Sequence, residues 1–128
     1  MKLLLDTHAF LWFIAGDARL SSGARSEIER IENDCFVSTA SLWEIAIKTS
    51  LDRLKLPRPF KNLITEQMQL NAVLQLDIKP EHLEILVSLP FHHRDPFDRL
   101  LVAQAKAEVL TLVSADAAFD GYEVKRLW

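Results

Sequence analysis

Three acidic residues, Asp6, Glu44 and Asp98, interrupt apolar stretches of this chain. Asp6 ends the run Leu3-Leu4-Leu5. Glu44 lies inside Leu42-Trp43-Glu44-Ile45-Ala46-Ile47, and Asp98 opens Arg99-Leu100-Leu101-Val102-Ala103-Gln104-Ala105. Carboxylates are seldom buried without a partner, because a low dielectric penalises their charge. Acids that converge in such surroundings either raise one another's pKa values or take up a cation. Carboxylate oxygens completed by water suit a hard divalent ion such as Mg2+ or Mn2+. An ion of that kind polarises a phosphoryl oxygen, lowers the pKa of bound water and offsets charge on a leaving oxygen, so phosphodiester hydrolysis is the chemistry this set suggests.

Each acid also has an ordinary reading. Asp6 suits a turn after a strand, and Asp98 suits the first turn of a helix, where the dipole favours negative charge. Glu44 is the last member of Ser41-x-x-Glu44, a capping-box pattern in which Ser41 caps the helix. A fourth acid, Asp116, follows the strand-like run ending at Val113 and suits a turn. One cause nevertheless accounts for all four: a carboxylate set around a cation.

The elements that must position these residues are short strands alternating with helices. Lys2 to Leu5 reads as a buried parallel strand, followed by an apolar helix over 7–14. Ser21 or Ser22 caps a helix running to about Ile31, with Ile28 and Ile31 on its inner side. Residues 35–38 form a second strand, and Ser41 opens the helix that carries Glu44. Pro57-Arg58-Pro59 is a break. An amphipathic helix over 60–70, a strand over 73–76 and a helix beginning at Pro80 follow. Residues 91–97 are a polar loop, 98–107 a helix, 110–113 a strand, 114–120 a turn with a short helix, and 124–127 a last edge strand. This alternation predicts an α/β/α sandwich with a short, mainly parallel central sheet. Functional groups in such sheets gather beyond the carboxyl ends of the strands. Asp6 and Asp116 leave from that edge, as does the helix bearing Glu44. Asp98 shares a helix face with Leu101 and Ala105, which turns its carboxylate toward the sheet.

At 128 residues, with 49% hydrophobic and 26% charged residues, the chain reads as one domain over 1–128 with a full core. Its formal charge of -3 gives no global basic footprint for nucleic acid. The single cysteine, Cys35, excludes an internal disulfide and reads as a small core residue. The N-terminal apolar run meets Asp6 too early for a secretory signal, and no run approaches the ~20 residues of a membrane span, so a cytoplasmic location is expected.

Four segments together resemble the ordered motifs of PIN domains. They are Leu5-Asp6-Thr7-His8, the stretch from Val37 to Lys48 with Ser41-Leu42-Trp43-Glu44-Ile45, the stretch from His93 to Ala105 with Asp95-Pro96-Phe97-Asp98-Arg99, and Leu112-Val113-Ser114-Ala115-Asp116. The likeness is greatest to the VapC-type toxins of bacterial type II toxin–antitoxin pairs, and it runs the length of the chain. It implies a ribonuclease using Mg2+ or Mn2+, with Asp6, Glu44, Asp98 and Asp116 as catalytic and metal-binding acids. It also implies that Thr7 and Ser114 orient carboxylates. An antitoxin whose C-terminal segment covers the active site and a homodimer are implied as well. Ser114 replaces a more frequent threonine and keeps the hydroxyl.

Other residues are read around this frame. Asp95 caps the helix that begins near Pro96. His92 and His93 are adjacent and lack a third ligand at zinc spacing, so they are not read as metal ligands. His8 is a packing or supporting residue. Arg53, Lys55, Arg58 and Lys61 form the one local basic stretch, which suits RNA phosphates or an acidic antitoxin segment, or simply a solvated surface. Arg99 is positioned to reach a substrate phosphate or an antitoxin carboxylate. Trp12, Phe13 and Trp43 suit either a groove near the site or the core. Three alternatives remain: a PIN nuclease for RNA processing or DNA without an antitoxin, an inactive PIN-like binding module, and a flavodoxin-like or receiver domain. The last would need paired acids after its first strand, which are absent.

Overall fold

The computed structural model describes residues 1–128. Its strands are β1 (Lys2–Leu5), β2 (Asp34–Ser38), β3 (Val73–Leu76), β4 (Thr111–Val113) and β5 (Arg126–Leu127). Its helices are α1 (Thr7–Ala15), α2 (Ser22–Glu29), α3 (Thr39–Ser50), α4 (Phe60–Leu70), α5 (Pro80–Val87) and α6 (Pro96–Glu108), with a 3-10 helix over Ala117–Tyr122. The strands form one sheet in the order β3-β2-β1-β4-β5, and every pair is parallel.

The period-two alternation of strand side chains builds two cores on opposite faces of this sheet. Leu3, Leu5, Cys35, Val37 and Val113 pack under α1 to α4, together with Phe10, Ala24, Ile45 and Ile64. Leu4 and Leu112 face the other way, onto Leu101, Val102 and Ala105 of α6 and onto Phe119 and Tyr122 of the 3-10 helix. Helices therefore cover both faces, giving the α/β/α sandwich that near-continuous apolar strands require.

The chain runs outward from β1 to β2 and β3, then returns to lay β4 and β5 on the opposite side of β1. The reversal opens a crevice beyond the carboxyl ends of β1 and β4, the usual place for a site in such sheets. Register aligns its rim: Leu5 pairs with both Val37 and Val113, so Asp6, Ser38 and Ser114 leave the sheet in one row.

Several element ends differ from the sequence reading. Helix α3 begins at Thr39, two residues before Ser41, and Ser38 is its cap, accepting from the Ala40 N–H. Ser41 is buried inside the helix with its hydroxyl unpartnered, so the capping box with Glu44 does not form. Helix α2 ends at Glu29, and Ile31 lies beyond it, 94% exposed, while Ile28 faces the core with Ala24. Strand β5 is confined to Arg126 and Leu127, because Glu123 takes a left-handed conformation that turns the chain just before it. Helix α6 starts at Pro96, two residues ahead of the 98–107 span, and Asp95 is its cap as the Asp95-Pro96 pair predicts.

Candidate active site

Asp6 follows β1 directly and caps α1: its Oδ1 accepts the Ala9 N–H at 2.8 Å. The apolar strand and helix on either side bury it. Burial raises its pKa above the ordinary carboxylate value, while hydrogen bonds from the Ser114 hydroxyl and the Ala9 N–H hold the rise in check. The turn-residue reading and the functional reading are thus compatible, since capping occupies one oxygen of the carboxylate.

Glu44 lies one turn into α3 on its inner face, beside Ala40, Ser41 and Ile45. Its burial comes from that face and not from its neighbour Trp43, which points outward and is 60% exposed. Both carboxylate oxygens are engaged. The Thr7 hydroxyl donates to Oε1 at 2.6 Å, and the Lys48 ammonium donates to Oε2 at 2.7 Å. Lys48 was not singled out from the sequence, although its position four residues after Glu44 is a readable ion-pair spacing.

Asp98 sits in the first turn of α6, half-buried, with its backbone N–H directed to the Asp95 cap. Burial first, and then the nearby charges of Asp95, Glu44 and Asp6, push its carboxyl up to about 6, with His93 opposing the rise. Asp98 is therefore the acid whose charge is least well compensated by protein groups. That leftover charge marks where an added cation would be most favourable.

Asp116 caps the 3-10 helix. Its Oδ1 accepts the Ala118 N–H at 3.0 Å, and its own N–H donates to the buried Ser114 hydroxyl at 3.0 Å. Its Oδ2 lies 2.8 Å from His93 Nε2, and this hydrogen bond is the main reason its pKa is lowered. One ligand atom each from His93, Asp98 and Asp116 lie within 4.8 Å of one another. His93 was not read as a metal ligand, and the structure brings its ring among the candidate ligand atoms. The expectation that adjacent histidines would not point to one place does hold: His93 faces Asp116, and His92 packs edge-on against the Tyr122 ring, with centroids 4.8 Å apart. Only the loop fold before α6 brings His93 to Asp116, so no periodic signal marked it.

Arg99 does not reach the site. One residue after Asp98 is a rotation of about 100° around a helix, and this carries the guanidinium to a different face. It is buried there, donating to the Pro90 and Leu89 carbonyls at 2.8 and 3.1 Å, with the Phe91 ring 3.8 Å away. The basic stretch also divides. Arg53 joins Thr7, His8, Trp12, Arg19 and Lys48 around a groove of about 340 Å³ that begins at the Glu44 side of the site. Lys55 lines a separate hollow with Asp52 and Phe60, and Arg58 pairs with Glu66. His8 stacks on Trp12 at 5.4 Å in the groove. Trp43 meets Phe97 edge-on at 5.4 Å, joining α3 to α6 at the rim. Cys35 is buried, and burial lifts its thiol to about 11, which leaves it inert.

The atoms within ligand distance of one another are the carboxylates of Asp98 and Asp116 and the His93 imidazole; Asp6 and Glu44 lie near enough to act on Asp98 by their charge, and no thiolate is present. Together with the poorly compensated charge at Asp98, this set fits a hard divalent cation.

A family model described as PIN domain matches residues 3–125. Ribonuclease VapC22 of Mycobacterium tuberculosis is 31% identical over 115 residues, which span 89% of this chain and 86% of that protein. Among solved structures, VapBC2 from Rickettsia felis, bound to a DNA fragment from their promoter, superposes with a TM-score of 0.74 at 15% identity, covering 100% of both chains. FitAcB from Neisseria gonorrhoeae gives 0.65 at 17% identity, covering 97% of this chain and 95% of that one. A toxin–antitoxin complex from Klebsiella pneumoniae gives 0.61 at 17% identity, covering 94% and 92%. At these identities the solved structures speak to the fold.

Proposed function

The chain belongs to the PIN domain family, and on that footing we propose that it is a divalent-metal-dependent endoribonuclease, the toxin of a toxin–antitoxin pair. The observation that carries the metal-dependent reading is Asp98. A carboxyl lifted to about 6 by burial and by other acids is a charge awaiting a cation. The RNA substrate is inferred from the relative named as a ribonuclease. The antitoxin is inferred from the fold's occurrence in a toxin–antitoxin complex.

In this reading Asp6, Glu44, Asp98 and Asp116 hold Mg2+ or Mn2+. When bound, the ion supplies positive charge for a phosphoryl oxygen and lowers the pKa of water at the site. Thr7 fixes one oxygen of Glu44, and Lys48 neutralises the other, so Glu44 keeps a single orientation. Ser114 ties Asp6 to Asp116 by donating to the first and accepting from the backbone of the second. Arg53, in the groove that begins beside Thr7, is placed to meet a phosphate flanking the scissile one. Lys55, in its separate hollow, is a contact for more distant RNA or for the antitoxin. The whole of residues 1–128 acts as one domain, as a homodimer in the cytoplasm; no helix is long and apolar enough to cross a membrane.

The test is cleavage of RNA by the purified chain. Cleavage is expected with Mg2+ or Mn2+, is expected to stop in excess chelator, and is expected to be lost in Asp6→Asn with the circular dichroism spectrum unchanged. Cleavage that persists in chelator would refute metal dependence. Co-purification with the product of the adjacent reading frame tests the antitoxin.

A further inference from the structure

His93 lies among the candidate ligands, yet its hydrogen bonds give it a different task. Its ring is clasped by the 3-10 helix, stacked on Phe119 and Tyr122 with centroids 4.5 and 5.5 Å away. The Tyr122 oxygen accepts the His93 backbone N–H at 2.7 Å and lies 3.1 Å from the ring Nδ1. Tyr122 is 2% exposed, so its buried hydroxyl proton needs an acceptor, and the His93 Nδ1 lies in reach. If Tyr122 donates to Nδ1, that nitrogen is bare and the proton of the neutral ring sits on Nε2. Nε2 then donates to Asp116 Oδ2 at 2.8 Å.

We propose that His93 is a positioning residue: the buried Tyr122 hydroxyl locks its Nε2–H tautomer, so it orients Asp116 and stays out of the metal's coordination sphere. This rests on the divalent-metal reading above. Asp116 needs the restraint, since its side chain is 47% exposed and projects from a short helix end. With Oδ1 tied to the Ala118 N–H and Oδ2 to His93, the carboxylate is fixed without help from an ion. The loop bearing His93 is itself held against the 3-10 helix, where a Cβ on Gly121 would meet the His92 ring at 3.2 Å.

Long-range 1H–15N correlation spectra of protein labelled at histidine nitrogens read the tautomer directly, whether or not the protein cleaves RNA. A protonated Nε2 and bare Nδ1 are expected for His93 in metal-free protein and again after Mg2+ is added. Tyr122→Phe is expected to release the preference into a tautomer mixture. Calorimetric titration with Mn2+ provides the second readout. His93→Ala is expected to weaken binding by about 10-fold, the scale of lost support around a ligand. His93→Gln, whose amide N–H occupies the Nε2 position, is expected to restore most of it. A protonated Nδ1, a Mg2+-induced shift of Nε2 to a ligated value, or equal loss in the Ala and Gln variants would overturn the proposal. Absence of RNA cleavage with the tautomer as expected would instead refute the function and leave the lock standing.

Discussion

Asp98→Asn should make the metal-free protein more stable at neutral pH while removing its activity. The Asp98 carboxyl is raised from 3.8 to about 6 in the folded protein. Between those values the folded state holds a proton that the unfolded chain has already released. Stability therefore falls as pH rises through this window, and the loss is complete above the folded pKa. A rise of roughly two units corresponds to about 3 kcal/mol. Asp98 is only half-buried, so solvent screening reduces this to about 1.5 kcal/mol. The N-terminus of α6 favours the carboxylate by about 0.3–1 kcal/mol, which leaves a net gain of about 1 kcal/mol for Asn. Urea unfolding followed by tryptophan fluorescence in chelator should show no difference between the two proteins near pH 4 and this advantage for Asn at pH 7.5. Comparing variant with wild type cancels the other titrating groups. Adding Mg2+ should reverse the order, since a ligand at 100 times its Kd stabilises the binding protein by about 2.7 kcal/mol. An Asn variant no more stable than wild type at pH 7.5, or Mg2+ stabilising both equally, would refute the reasoning.

Thr7→Val removes the donor to Glu44; RNA cleavage rates should fall about 10-fold or more, with a stability loss of about 1–2 kcal/mol in urea unfolding. Arg99→Met should cost about 2–3 kcal/mol, because the Leu89 and Pro90 carbonyls lose their charged donor; kinetics at saturating RNA should be unchanged, and a drop in kcat would return Arg99 to the site. Val109, which ends α6, is 85% exposed and held at φ 54. Val109→Gly should therefore raise the melting temperature, with a gain of about 1 kcal/mol.

The elements were legible because their signals are periodic. Leu3, Leu4 and Leu5 alternate between two cores, and the face of α6 carrying Leu101 and Ala105 carries Asp98 with it. The position of three acids at one sheet edge followed from strand ends alone. Helix starts were less legible where two patterns compete. Ser38 and Ser41 both precede α3, and the Ser-x-x-Glu match favoured the second. Ser38, however, is the residue that leaves β2 in an extended conformation, and the cap goes to the residue at that junction. Arg99 was misplaced by reading sequence adjacency to Asp98 as spatial adjacency, although helical neighbours diverge by about 100°.

His93, Tyr122 and Asp116 expose the deeper limit. Their contacts span 23 and 29 residues and depend on how an irregular loop lies on a 3-10 helix. No repeat of hydrophobicity constrains such a loop. Yet its chemistry is determined once the fold brings the groups together, because a buried hydroxyl must find an acceptor. The sequence displays four acids as equals, and their surroundings then divide the work. Glu44 is satisfied by Thr7 and Lys48, Asp116 is oriented by His93, and Asp6 is shared between a helix cap and Ser114. Asp98 retains the charge that the protein compensates least. It is therefore the residue whose replacement separates a bound cation from mere crowding of carboxylates: crowding predicts a stabilised variant with or without Mg2+, whereas a cation site predicts that Mg2+ inverts the effect.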